Sequence, residues 1–238
     1  MTRKNAKINS KKTIAKVNVE KAFQKRKEFL SIVENDLENA SVHISKGNSK
    51  LGVIPSFSVL PLITCKNCGD CSKYCYAAKG NFNFNRNILN LSENTALLKS
   101  SPEKVEKEIN YFLNNSTTLY RYFRWNTAGD IFSLEYLEMI VRIAKNNPFT
   151  TFLAFTKNFE LLDEYVENGG IIPENLTVVF SRWGNTEIKN RNGFPVAIVK
   201  IDESTNIPEN AFRCNGDCQN CLECWKAKKN TYRFFELH

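Results

Sequence analysis

All eight cysteines of the chain fall in two short runs, and this division limits what the chain can fold into more than any other feature. Cys65, Cys68, Cys71 and Cys75 read C-x2-C-x2-C-x3-C. Cys214, Cys218, Cys221 and Cys224 read C-x3-C-x2-C-x2-C, the mirror image. No cysteine is left for a core position, so packing does not explain the pattern and thiolate ligation does. A chain of 238 residues buries enough surface to fold without cross-links. No apolar run reaches the ~18 residues of a membrane span, and the N-terminus has no apolar signal region. The sequence therefore reads as cytoplasmic with no membrane partner, a setting in which cysteines serve as metal ligands more than as disulfides.

The spacing bears on which metal. The first run has the spacing of bacterial ferredoxins, in which closely spaced thiolates hold one face of a [4Fe–4S] cluster and the last cysteine can ligate a second cluster. Zinc is the alternative, but it usually takes two ligand pairs on separate knuckles. The chain has only two histidines, His43 and His238, which disfavours mixed Cys/His zinc sites. One or two clusters are expected, and the ligands can be divided in more than one way. Each run can hold its own cluster. Alternatively, Cys65, Cys68 and Cys71 combine with Cys214, and Cys218, Cys221 and Cys224 with Cys75. A third arrangement leaves one iron of the first cluster open, with one of the four cysteines unligated.

The net charge of +8 is unevenly spread. Residues 1–27 hold ten Lys or Arg and one acid, Glu20, whereas the remainder holds 23 basic and 24 acidic residues. Such an arm suits phosphate contact, because each neutralised phosphate releases counterions; the plain alternative is a solubilising tail. The expected organisation is a disordered basic arm over 1–17, an N-terminal helix within 18–50 and a single α/β metal-binding domain over 51–238. Apolar positions at helical spacing run from Val19 to Ala40, with Asn18 as cap. A strand is expected over Ile54–Ile63, then helices over Ile88–Lys99 and Pro102–Leu113, the second capped by Ser101. Strands over Leu119–Trp125, Thr150–Phe155, Leu176–Phe180 and Val196–Ile201 alternate with helices over Leu134–Lys145 and Phe159–Asn168. This alternation indicates an α/β fold with a parallel sheet. A partial (β/α) barrel and an open doubly wound sheet both fit, and the barrel-like form is the one adopted.

In parallel α/β architectures, ligands bind where strands end. The residues expected there are Arg124, Asn126 and Asp130 as catalytic candidates. Gly129, Thr156, Lys157, Ser181 and Arg182 are the cofactor-binding candidates. Each has a milder reading: Asp130 as cap of a helix beginning near Phe132, Asn126 as a turn residue, Lys157 and Arg182 as solvated charges.

Cys71-Ser-Lys-Tyr-Cys75-Tyr76-Ala77, a preceding strand with Ser56-Phe57-Ser58, and Arg124-x-Asn126-x-x-Gly129-Asp130 resemble an uncharacterised family carried by phages and mobile elements, the gene product eighty-eight-like family, over roughly residues 50–225. The resemblance implies no settled activity. The chain is more distantly similar to radical S-adenosylmethionine enzymes. There a cysteine loop after the first strand of a partial barrel binds a [4Fe–4S] cluster, and a Gly-rich motif near the second strand end helps bind the cofactor's amino group. That similarity implies S-adenosylmethionine as a cofactor and Gly129-Asp130 as the second motif. The family spacing is C-x3-C-x2-C; Cys71-x3-Cys75 matches its first half, and Ala78 stands at the third position. The C-terminal run resembles the auxiliary clusters of some members. The functional expectation is an iron–sulfur protein with a radical S-adenosylmethionine-like or other cluster-dependent redox activity, served by an electron donor. The alternative is a non-enzymatic, metal-stabilised protein that binds nucleic acid through the arm.

Overall fold

Eight strands form one sheet in the order β1-β2-β3-β4-β5-β6-β8-β7. The structure is a computed structural model that describes residues 16–237. All but the last two residues of the expected basic arm lie outside the described residues, as does His238. The strands are β1 (Ile44–Ser45), β2 (Ser56–Phe57), β3 (Tyr122–Trp125), β4 (Thr151–Thr156), β5 (Leu176–Trp183), β6 (Val196–Lys200), β7 (Phe212–Arg213) and β8 (Tyr232–Glu236). β1 runs antiparallel to β2, and every other neighbouring pair is parallel. The fold is therefore α/β with a mostly parallel sheet. Strands β2 to β6 lie side by side in chain order, without the reversal that defines a doubly wound sheet.

The helices are α1 (Val19–Glu34), α2 (Asn85–Ser100), α3 (Pro102–Asn114), α4 (Leu134–Asn146), α5 (Phe159–Glu167) and the single turn α6 (Cys218–Cys221). α4 shows why these segments are helical. Ser133 Oγ accepts the Tyr136 N–H as cap, and Leu137, Ile140, Val141 and Ala144 repeat as a buried stripe. Helices α1 to α5 pack on one face of the sheet, over Phe57, Phe123, Trp125, Phe152, Ala154, Val178, Phe180 and Ile198. The other face carries Leu153, Val179 and Ala197, and is covered by Leu51, Ile54 and Trp225. The C-terminal cysteine run thus lies across the face that the helices leave free.

Several elements differ from the sequence expectation. The strand expected over Ile54–Ile63 is only Ser56–Phe57, because its ladder with β3 ends at the Phe57–Trp125 pair, where Asn126 turns away at φ 53°; the chain then turns at Leu62, whose φ is 70°. β5 continues past Phe180 to Trp183, since Ser181, Arg182 and Trp183 pair with Ala197, Ile198 and Val199. Ser101 does not cap α3 with its side chain; its carbonyl accepts the Lys104 and Val105 N–H groups. Asn18 does cap α1, accepting the Lys21 N–H at 3.0 Å. β8, absent from the sequence reading, adds a strand beside β6.

Candidate metal centres on the sheet

The first cysteine run begins where the chain leaves β2. Thr64 Oγ donates to Leu60 O at 2.9 Å and accepts the Asp130 N–H at 3.3 Å, which fixes the turn into Cys65. A 3-10 helix over Gly69–Tyr74 carries Cys71, with Cys68 at its head and Cys75 just past its end. The Cys71 N–H donates to Cys68 O at 2.8 Å, and the Cys75 N–H to Ser72 O at 3.3 Å. The four thiols are free and half-buried. Burial, reinforced by the Asp130 charge, pushes the Cys65 thiol up to about 12. Burial likewise pushes Cys71 up to about 11, against the pull of Lys157.

Lys157 follows β4 and is a cation of this site. Burial pulls its ammonium down, but Cys71, Asp130 and Cys65 together outweigh that, so its pKa lies above the ordinary value. Asp130 is buried and accepts three hydrogen bonds: from Ile131 N at 2.7 Å, Thr156 Oγ at 2.6 Å and Lys157 N at 3.0 Å. It is therefore not a helix cap; α4 starts at Leu134 and is capped by Ser133. Asn126 adopts φ 53°, and its Oδ1 accepts the Tyr136 hydroxyl at 2.9 Å. Its Nδ2 is buried and, among the described residues, has no partner. Gly129 has φ 77°, and a Cβ there would lie 2.4 Å from Val59 Cγ2 and 2.6 Å from Val59 O. The close approach of the 59–64 and 126–130 loops thus requires glycine at this position.

Arg124 and Arg182 diverge. Arg124 stands 4.2 Å over the Phe155 ring and donates from Nε to Trp125 O at 3.1 Å. Burial lowers its pKa, while Tyr76, Cys224, Cys218 and Cys214 favour its charge. Arg182 lies on the opposite side of β5 from Val179 and Ser181, and its Nη2 donates to Asn206 O. The structure therefore brings together the first cysteine run, Asp130, Thr156 and Lys157, with Asn126 and Gly129 in the adjoining loop. Among the described residues the hydrogen-bond partner of Arg182 is Asn206 O and none of these groups, and both Ser181 and Arg182 belong to a strand rather than to a loop after it.

The second run is held by its own set of contacts. Cys214 N–H donates to Phe234 O at 2.9 Å, and Cys218 N–H to Lys50 O at 3.0 Å. Asp217 caps α6 through Asn220, and Leu222 ends it at φ 56°. Trp225, buried at the end of the run, donates from Nε1 to Phe123 O at 3.1 Å. Its carbonyl accepts Thr177 Oγ at 2.8 Å. A small cavity of about 20 Å³ is lined by all four thiols together with Trp225 and Arg233. Burial pushes the Cys224 thiol up to about 12, opposed by Arg124 and Arg233.

A family model described as Gene product 88 matches residues 3–232. The chain belongs to the Gene product 88 family. The matched span holds both cysteine runs and reaches further towards each end than the residues that carry the resemblance. No curated protein and no solved structure matches the chain.

In this Gene product 88 chain the thiols are neighbours rather than a closed ligand shell. Among the described residues no three His, Cys, Asp or Glu side chains are drawn together enough to hold a metal ion. Three thiols nevertheless have cysteines of their own run as electrostatic neighbours: Cys75 and Cys68 for Cys71, Cys214 and Cys221 for Cys218, Cys214 and Cys218 for Cys224. The donor chemistry, four free thiols per run with a cation beside each set, fits soft metals and iron–sulfur clusters.

Sequence reasoning missed Arg26. It is fully buried on α1, with Nη1 donating to Ala22 O at 3.0 Å and Nη2 to Ala77 O at 2.9 Å. Its charge acts on Cys75. The available signal was a charged residue four after Ala22 and four before Leu30, on the apolar stripe of the helix. Trp183 was also missed; it stacks on Tyr74 of the first run, with ring centroids 6.4 Å apart and planes at 15°.

Proposed function

We propose that this protein is an iron–sulfur protein with two clusters, each held by one cysteine run, and that it performs cluster-dependent redox chemistry at the first. The observation that carries the reading is the placement of cations. Arg26, Arg124 and Lys157 stand beside the thiols; among the described residues Arg26 and Arg124 form no ion pair with a carboxylate, and Lys157 has Asp130 as well as the thiols acting on it. Buried charges are stable only when they are offset. Four thiolates on a cluster supply that negative charge, with Lys157 and Arg26 at the first run and Arg124 and Arg233 at the second.

A bound cluster would supply one-electron chemistry. The chain's own residues orient and insulate it. Asp130, through Thr156 and the Lys157 backbone, holds the turn that presents Lys157 to Cys71 and Cys65. Strands β2 to β6 lie in chain order in a mostly parallel sheet, in keeping with a partial (β/α) barrel, and the first run follows β2, the neighbour of β3. This supports the radical S-adenosylmethionine-like form of the reading, in which the unpartnered Asn126 Nδ2 and the Asn126–Asp130 loop face a cofactor. Anaerobic reconstitution with iron and sulfide, followed by titration with S-adenosylmethionine, tests this form. A perturbed cluster spectrum in the wild type supports it; an unchanged spectrum reduces the reading to a redox cluster without that cofactor.

A further inference from the structure

The positive charge of the molecule gathers around the first cysteine run. Residues 16–27 and 66–86 carry nine Lys or Arg against two acids, Glu20 and Asp70. Residues 1–15 add five Lys or Arg and no acid, and the remainder of the chain carries 19 basic against 23 acidic residues. The two described stretches are joined in space. Val17 N–H donates to Lys73 O at 2.8 Å, Lys25 Nζ to Asn83 O at 2.9 Å and Arg26 Nη2 to Ala77 O at 2.9 Å. Val17 and Val19 pack with Leu62, Ala78 and Cys75. The arm therefore enters the described fold against the first run itself.

Aromatic rings stand among these charges. Tyr76, directly after Cys75, is 55% exposed, and Phe84 is 62% exposed. Lys66 and Arg86 are exposed and, among the described residues, form no ion pair. Cations interleaved with exposed rings are how proteins hold a single strand: the cations track phosphates and the rings stack unpaired bases. A duplex keeps its bases stacked on each other and offers these rings nothing.

We propose that the surface formed by residues 16–27 at the start of α1, the first cysteine run and the start of α2 binds a single-stranded nucleic acid, which is the substrate class presented to the first cysteine site. The binding stands on charge and exposed rings; only the chemistry done on the strand rests on the iron–sulfur reading. The test uses the full chain and a fluorescein-labelled oligothymidylate of about 20 nucleotides, with anisotropy read over a range of salt concentrations. The wild type binds with log K falling linearly in log salt. Replacing Lys66 and Arg86 together by Gln lowers the slope by about 1.4, since each single-strand phosphate contributes about 0.7. Phe84→Ala weakens binding roughly tenfold at an unchanged slope. No wild-type binding, variants identical to wild type, tighter binding of a duplex of the same length, or phosphatidylserine vesicles retaining the protein against excess oligonucleotide would each overturn the proposal. Iron and sulfide are measured on the same preparation. Oligonucleotide binding without sulfide keeps the surface and removes the cluster; a cluster without binding does the reverse.

Discussion

Arg26 occupies a position that the helical pattern of α1 reserves for an apolar side chain, and its guanidinium contacts two carbonyls and no acid. Its Nε has no partner among the described residues. A buried cation of this kind calls for a nearby negative charge, and Cys75 is the group its charge acts on. Arg26→Met should lower the midpoint potential of the first cluster, because the reduced, more negative state loses its stabilising cation, whereas Arg26→Lys should largely preserve it. A redox titration followed by electron paramagnetic resonance reads the difference. Equal potentials in wild type and Arg26→Met would detach Arg26 from the cluster. Cys75→Ala tests the division of ligands: with one cluster per run it disturbs the first and leaves the second intact, whereas a disturbed second cluster beside an intact first would favour exchanged ligation. At this scale the cysteines were legible because eight thiols in two spaced runs have few explanations. Arg26 was not, because one Arg among Lys21, Lys25 and Lys27 reads as a solvated charge until its burial is seen.

The second run reaches the sheet through Trp225. Its ring is buried with Leu153, Val179 and Ala197, its Nε1 bonds β3 and its carbonyl bonds β5. Trp225→Ala should cost about 3–5 kcal/mol in urea unfolding, as large-to-small core changes do. It should also leave the reconstituted chain with about half the wild-type iron, as expected when one of two separate clusters is lost. Full iron retention would show that the run holds its shape without the sheet. The loops behind the first run depend on Gly129. Gly129→Ala combines a left-handed backbone with a Cβ pressed on the Val59 backbone and side chain, so a loss of about 2–4 kcal/mol is expected. A thermal melt within one degree of wild type would contradict this. The long amphipathic helices and β4 were readable from periodicity. β8 was not, since Arg233 interrupts its apolar run and is buried through bonds to Thr231 and Glu223 that no local pattern encodes. β1, β2 and β7 have two residues each, too short to show a period.

At the scale of the whole molecule, the alternation of strands and helices indicated an α/β fold with a parallel sheet, and the structure has one. Alternation alone could not choose between the singly and doubly wound forms, because strand order is set by long-range pairing. Nor could it place the second cysteine run on the face opposite the helices, about 140 residues after the first. Arg124 is where the two runs come into electrostatic relation, since its charge interacts with Tyr76, next to Cys75, and with three thiols of the second run. Deleting residues 1–15 should leave metal content unchanged and lower the salt slope of oligonucleotide binding, because five cations are removed without a cysteine. An unchanged slope would assign binding to the described surface alone. The central claim concerns what the eight thiols hold, and the most direct measurement is iron and acid-labile sulfide per chain after anaerobic reconstitution. Two cubane clusters predict about eight of each; stoichiometric zinc with no sulfide would contradict the account.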